Sequence, residues 1–259
     1  MKISVCSEAL YKGKGYVLAI KELARAGFCD IEFWTWWDKD LAVLKALKEE
    51  HALNYIAMCT KFISLVDPEK HGEYKQGLKE SIAAAKELGC CTLISQAGDE
   101  LADVERSVQH NNIVAGLKKV APLLEDSGVV LTLEPLNTRV DHIGYYLWDA
   151  DEAFDIIDEV GSPNIKVLFD IYHQQIMQGD LLRRIGANIG KIGHFHAAGN
   201  PGRGDPYDGE INYAGISRAI DSFGYTGYVG LEYFIQDSVL ESLTRCREIF
   251  NVAQKKDLQ

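Results

Sequence analysis

A single (β/α)8 TIM barrel is the fold class this chain predicts, and three observations carry the prediction. The chain has 259 residues, close to the roughly 250 of one such barrel. Eight short apolar, β-rich runs occur in order with helical patterns between them. The last four of these runs each close on a residue that can ligate a metal. The expectation is one domain over residues 1–259, with no Pro-, Ser- or Gly-rich linker to divide it.

The eight strand candidates are Ile3–Cys6, Asp30–Phe33, Tyr55–Cys59, Thr92–Gln96, Val129–Glu134, Ile165–Asp170, Ile192–His196 and Val229–Glu232. Most are continuous apolar runs rather than alternating ones, as suits parallel strands covered by helices on one side and packed on the other. Between them, apolar residues recur at helical spacing. Leu41, Leu44 and Leu47 share a face, as do Leu78, Ile82 and Ala85. Ile113, Leu117, Val120 and Leu124 form a three-turn stripe before Gly128, and Ile216, Ala219, Ile220 and Phe223 form another before Gly224. A glycine at that point is a helix stop. Five or six such units would make an open doubly wound sheet; eight make a closed barrel.

Composition excludes several function classes. A net charge of −11 argues against nucleic acid, whose binding rests on clustered Lys and Arg. It leaves room for a small-molecule substrate, including a small anion held by one or two arginines. No run approaches 18 apolar residues, so no membrane span is expected. The start MKISVCSEAL does not read as a secretory leader, and a cytoplasmic protein is expected. The six cysteines form no CxxC or Cys/His zinc pattern and read as small buried residues. Neither GxGxxG after the first strand, GxxxxGK[ST], nor GxSxG occurs, which removes the common nucleotide and serine-hydrolase signatures.

The chemistry is concentrated at the strand ends. Glu134, Asp170, His196 and Glu232 follow one another at intervals of 36, 26 and 36 residues, about one strand-plus-helix unit each. That phase brings four side chains to one mouth of a parallel barrel. Three facing carboxylates repel unless they share protons or a cation. An O,O,O,N donor set without sulfur suits a hard or intermediate divalent ion, Mg²⁺ or Mn²⁺ ahead of Zn²⁺.

Neighbouring residues supply further candidates. His173, three positions past Asp170, would polarise a substrate oxygen or support a ligand by hydrogen bonding. Arg203 lies between glycines in the polar loop Gly199–Glu210; it would grip a carboxylate or phosphate, or merely be a solvated turn residue. Glu210 would face substrate, support a ligand or cap the next helix. Trp34 opens a stretch with three tryptophans in Trp34–Trp37. That stretch reads as an apolar wall over the site, core packing, or a subunit contact, which leaves a homo-oligomer open. His194 alternates with His196 and so points the same way, one layer deeper, more in keeping with a core histidine than a ligand.

With these residues in view, the chain resembles the hydroxypyruvate isomerase family of xylose-isomerase-like barrels over nearly its whole length. The resemblance lies in LEPLNTRVDHIGYYL (Leu133–Leu147), LFDIYHQQ (Leu168–Gln175), HFHAAGNPGRGDPYDGEINY (His194–Tyr213) and GYVGLEY (Gly227–Tyr233). It implies a metal held by Glu134, Asp170, His196 and Glu232. It implies too that Glu134 and Glu232 act as the proton-transfer pair of an aldose–ketose-type isomerisation, converting hydroxypyruvate to tartronate semialdehyde through an enediolate. Histidine at 196 is similar instead to the related ketose 3-epimerases, whereas GEINY resembles the isomerase group. A ketose 3-epimerase on the same metal site, or a barrel that binds a sugar acid without turnover, are the alternatives.

Overall fold

Eight parallel strands close in sequence order, β1 pairing with both β2 and β8, in a computed structural model that describes residues 1–235 and 238–251. The strands are β1 Lys2–Cys6, β2 Asp30–Phe33, β3 Asn54–Cys59, β4 Thr92–Ser95, β5 Val130–Leu133, β6 Ile165–Asp170, β7 Ile192–Ala197 and β8 Tyr228–Leu231. All eight expected runs are strands, each within two residues of its expected bounds. Glu134 and Glu232 stand one residue past β5 and β8. Their amides still donate across the rim, Glu134 to the Ser95 carbonyl at 3.0 Å and Glu232 to the Ala197 carbonyl at 3.1 Å. The carboxylates are therefore anchored as if on strands.

The expected helical stripes pack as amphipathic faces. Leu44, Leu47, Leu78, Ile113, Leu117, Val120 and Leu124 are buried in the core between helices and barrel. Gly128 takes φ 73° at the end of the Arg106–Ser127 helix, a left-handed stop open to glycine at little cost. Phe223 departs from its stripe. It is 39 % exposed because the helix Tyr213–Ser222 ends just before it, and its ring lies against Gly186 of the neighbouring helix.

Inside the barrel, side chains of alternate residues meet. Ala57, Cys59, Ile94 and Leu168, under Trp34, make a small apolar cluster of their own. The opposite half of the lumen, from β1, β2, β7 and β8, is polar, with Ser4, Glu32, His194 and His196 all buried. Two register shifts fall on strands of this layout: one between Ile31 and Glu32 against β3, the other between Val167 and Leu168 against β7. Irregularities of this kind re-aim side chains near functional sites. Among the described residues no helix is long and apolar enough to cross a membrane.

Candidate metal centre

The strand ends bring together four of the eight expected side chains at one point. Glu134, Asp170, His196 and Glu232 are all buried, and each offers one ligand-type atom within 4.8 Å of the others'. Local structure aims each one. Asp170 caps the helix Ile171–Met177: one carboxylate oxygen accepts the Tyr172 and His173 amides at 2.8 and 3.2 Å, which leaves the second oxygen for the centre. Pro135 and the Tyr145 hydroxyl, which donates to the Glu134 carbonyl at 2.9 Å, hold the chain after β5. His196 faces both glutamates through Nδ1, 3.6 Å from Glu134 Oε1 and 3.4 Å from Glu232 Oε2. That nitrogen is buried and has no hydrogen-bond partner.

The electrostatics are those of a site built for positive charge. Burial, reinforced by Glu134 and Glu232 and opposed by Arg203 and His196, pushes the Asp170 carboxyl up to about 7. Burial would raise Glu232 too, but His196, Arg203 and the Trp34 indole hold it well below the usual carboxylate range. Burial disfavours a charged His196, yet Glu232, Glu134 and Glu32 together drive its proton affinity well up. Three carboxylates and an orphaned imidazole nitrogen, converging on one buried point, fit a divalent cation with oxygen preference. These residues could hold such an ion.

Three further expected residues surround the cluster. His173 is fully buried beside it, Nε2 3.5 Å from Asp170 Oδ2. Its Nδ1 receives the Asn137 amide at 3.1 Å, so the ring proton belongs on Nε2, which has no partner. Burial, with Arg203 and His142 nearby, lowers its proton affinity well below the ordinary histidine range. The ring is a neutral donor. Arg203 donates to Glu232 and lies over the rings of Tyr172 and Phe234 at 5.6 and 5.7 Å. Its own backbone is left-handed, φ 53°, a strained state for a side-chain-bearing residue of the kind that collects at functional sites. The Trp34 indole donates to Glu232.

The tryptophan stretch thus divides its roles. Trp34 walls the cavity. Trp36 packs on the core and donates to Ser81 at 3.2 Å. Trp37 meets Phe62 edge-on at 5.2 Å on the rim. Glu210 is a correction: its carboxylate is exposed and accepts from Asn200 at 2.6 Å and Gln175 at 3.2 Å, tying the loop down outside the cavity. Of the alternatives open for Glu210, the helix cap is filled by Asn212, whose side chain accepts the Gly215 amide.

A cavity of about 550 Å³ opens over the cluster, lined by Trp34, Phe62, Gln96, His142, Glu134, His196, Arg203 and Glu232 among others. Sequence reasoning does not find Gln96 or His142. Each has a buried polar atom without a partner; Gln96 closes the fourth expected run, a strand-end position that could have found it, whereas His142 sits in a loop stretch with no periodicity to single it out. Glu32 escapes it as well. An acidic residue inside the buried run DIEF is the one signal available, and within an otherwise ordinary strand it does not stand out.

Residues 20–249 match the family model described as xylose isomerase-like TIM barrel. The chain is 31% identical over 242 residues to the hydroxypyruvate isomerase of Escherichia coli (strain K12), covering 90% of this chain and 93% of that protein. It is 34% identical over 166 residues to the 2-oxo-tetronate isomerase of Cupriavidus necator, covering 64% of each. A crystal structure described as AP endonuclease, family 2, from Brucella melitensis superposes with a TM-score of 0.90 at 26% identity, covering 95% of this chain and 98% of that one.

Proposed function

Because the chain belongs to the xylose isomerase-like TIM barrel family, we propose that it is a divalent-metal-dependent isomerase of a small hydroxy-oxo acid, with hydroxypyruvate as the leading substrate. The observation that carries this reading is the convergence of Glu134, Asp170, His196 and Glu232 within 4.8 Å. Similarity to isomerases of hydroxypyruvate and 2-oxo-tetronate supports the substrate class. Mg²⁺ or Mn²⁺ suits the donor set. A bound ion would supply positive charge against developing negative charge on substrate oxygens.

The chain's own residues account for the remaining work. In the conversion of hydroxypyruvate to tartronate semialdehyde, C3 gives up a proton and C2 receives one, while a hydroxyl proton moves from the C3 oxygen to the C2 oxygen. Glu134 and Glu232 are the proton-transfer pair. Glu232 stays ionised under the influence of His196, Arg203 and Trp34, as a base must. His173 donates through Nε2 to a substrate oxygen. Arg203, the one Lys or Arg lining the cavity among the described residues, meets the substrate carboxylate. Trp34 and Phe62 cover the reacting carbons and keep water out.

A nucleic-acid substrate is disfavoured, despite the name of the Brucella structure. The net charge is −11, and a single arginine in the cavity cannot track a phosphate backbone. The test is to strip the purified protein with chelator, restore Mg²⁺ or Mn²⁺, and assay hydroxypyruvate, a four-carbon 2-oxo-tetronate and ketohexoses side by side. Turnover of an oxo acid that vanishes on chelation and returns with metal supports the reading. Turnover indifferent to chelator removes the metal from it, and conversion of ketohexoses alone makes the protein a 3-epimerase.

A further inference from the structure

A wholly buried carboxylate lies directly beneath the metal cluster. Glu32 accepts the Ser4 hydroxyl and sits 2.9 Å from Nε2 of His194 and 3.1 Å from Nε2 of His196. It comes from β2, 164 positions from His196 in the chain and separated from β7 around the barrel by β1 and β8. Strand register explains how it reaches. His196 pairs with Gly230 on one side, and Ser4 pairs with Gly230 on the other. The row His196–Gly230–Ser4 therefore has a gap at its centre, and the Glu32 carboxylate occupies it. A Cβ at Gly230 would stand 2.7 Å from His196 Cδ2 and 2.8 Å from each Glu32 carboxylate oxygen. Only glycine leaves the space.

The consequence is chemical. An ionised carboxylate only accepts hydrogen bonds. Against His196 Nε2 it calls for a proton on that nitrogen, which leaves the Nδ1 lone pair available. Nδ1 is the atom that faces Glu134 and Glu232 without a hydrogen-bond partner. Histidines that ligate metals are commonly oriented by such a carboxylate on the opposite nitrogen. Burying a charge this deeply is costly unless it is fully hydrogen-bonded, and Ser4, His194 and His196 meet that condition.

We infer that Glu32 is a positioning residue for cation binding: it locks the His196 ring with Nδ1 toward the four-residue cluster, and Gly230 provides the gap through which it acts. The inference rests on the metal reading of the cluster given above. His194 and Ser4 keep the Glu32 carboxylate aimed and charged.

Mn²⁺ titration by calorimetry of the metal-free protein tests it, with wild type, Glu32→Gln and Gly230→Ala compared and circular dichroism confirming their fold. The amide of Glu32→Gln would offer one acceptor oxygen to two imidazole donors, and the methyl of Gly230→Ala would displace the pair with no change in charge. Both substitutions should weaken Mn²⁺ binding by about 10- to 100-fold, the usual effect of losing a ligand's supporting partner. Wild type that binds no Mn²⁺ would sink the metal reading itself. Wild type that binds, alongside two folded variants of equal affinity, would overturn this inference alone. A measurement on wild type decides the matter if neither variant folds. Imidazole ¹⁵N spectra of the Mg²⁺-loaded protein should show His196 with its proton on Nε2, and a proton on Nδ1 would overturn the proposal.

Discussion

The Asn137 amide donates to Nδ1 of His173 at 3.1 Å, and this bond sets which nitrogen of a buried ring looks toward the Glu134–Asp170–His196–Glu232 cluster. The Asn137 side-chain nitrogen lies against the same Nδ1 at 2.7 Å. With that nitrogen accepting, Nε2 carries the proton and His173 can only donate through it, which on the proposed function is toward substrate. His173→Phe keeps much of the bulk and removes the donor. It should lower kcat/KM by about 10- to 100-fold, the scale of a hydrogen bond to a developing charge. Asn137→Ala should act in the same direction and more weakly, because the backbone amide still holds the ring. Steady-state kinetics on the two variants check this, and an Asn137→Ala effect larger than that of His173→Phe would contradict the assignment.

Glu134→Gln and Glu232→Gln should each reduce kcat by about 10³-fold or more, the cost of removing a proton-transfer group. Each also removes a ligand charge, so turnover is to be measured at saturating metal. Solvent-deuterium incorporation at C2 of the product should fall in parallel with kcat. Full turnover in either variant would take that residue out of the proton-transfer pair.

Asp170 predicts a pH dependence of the metal-free protein. Its proton affinity is raised to about 7 in the fold by burial, from about 3.9 in an unfolded chain. The folded protein therefore holds this proton more tightly than the unfolded chain does. The stabilisation is fully present below about pH 4 and is lost as pH rises through about 7. The melting temperature of metal-free wild type should fall relative to Asp170→Asn between about pH 5 and about pH 8. Added Mn²⁺ should reverse that trend in wild type, since the ion needs the ionised carboxylate and binds better as the proton leaves. Parallel curves for the two proteins would show that Asp170 carries no such shift.

Arg203 spends its charge on Glu232 across a strained backbone. Arg203→Ala should raise KM for an oxo acid by about 10- to 100-fold, from the loss of a charge-assisted contact of about 1.5–3 kcal/mol. A neutral ketose, lacking the carboxylate, should lose less. Equal losses for both substrate types would indicate that Arg203 acts through Glu232 rather than on the substrate.

Much of this was legible along the chain because the signals are local and repeated. The apolar runs mark the strands. Gly128 marks a helix stop, and the acidic or imidazole residue after each of the last four runs marks the barrel mouth. Glu210 and the tryptophans were ambiguous for the opposite reason. Glu210 lies in a loop, and its partners Asn200 and Gln175 follow from how that loop folds back. Trp34, Trp36 and Trp37 are neighbours in sequence, yet they point to the cavity, the core and the rim in turn.

The amino-acid sequence by itself determined the barrel and the four side chains at its mouth, since strand period and strand-end position are properties of one segment at a time. The tertiary structure decided what lies under them. Glu32 reaches His196 only because closing the barrel through β1 and β8 brings β2 and β7 into one half of the lumen and strand register leaves an empty place at Gly230. Contacts made across a lumen depend on the stagger of every intervening strand, and no single stretch of chain records that sum.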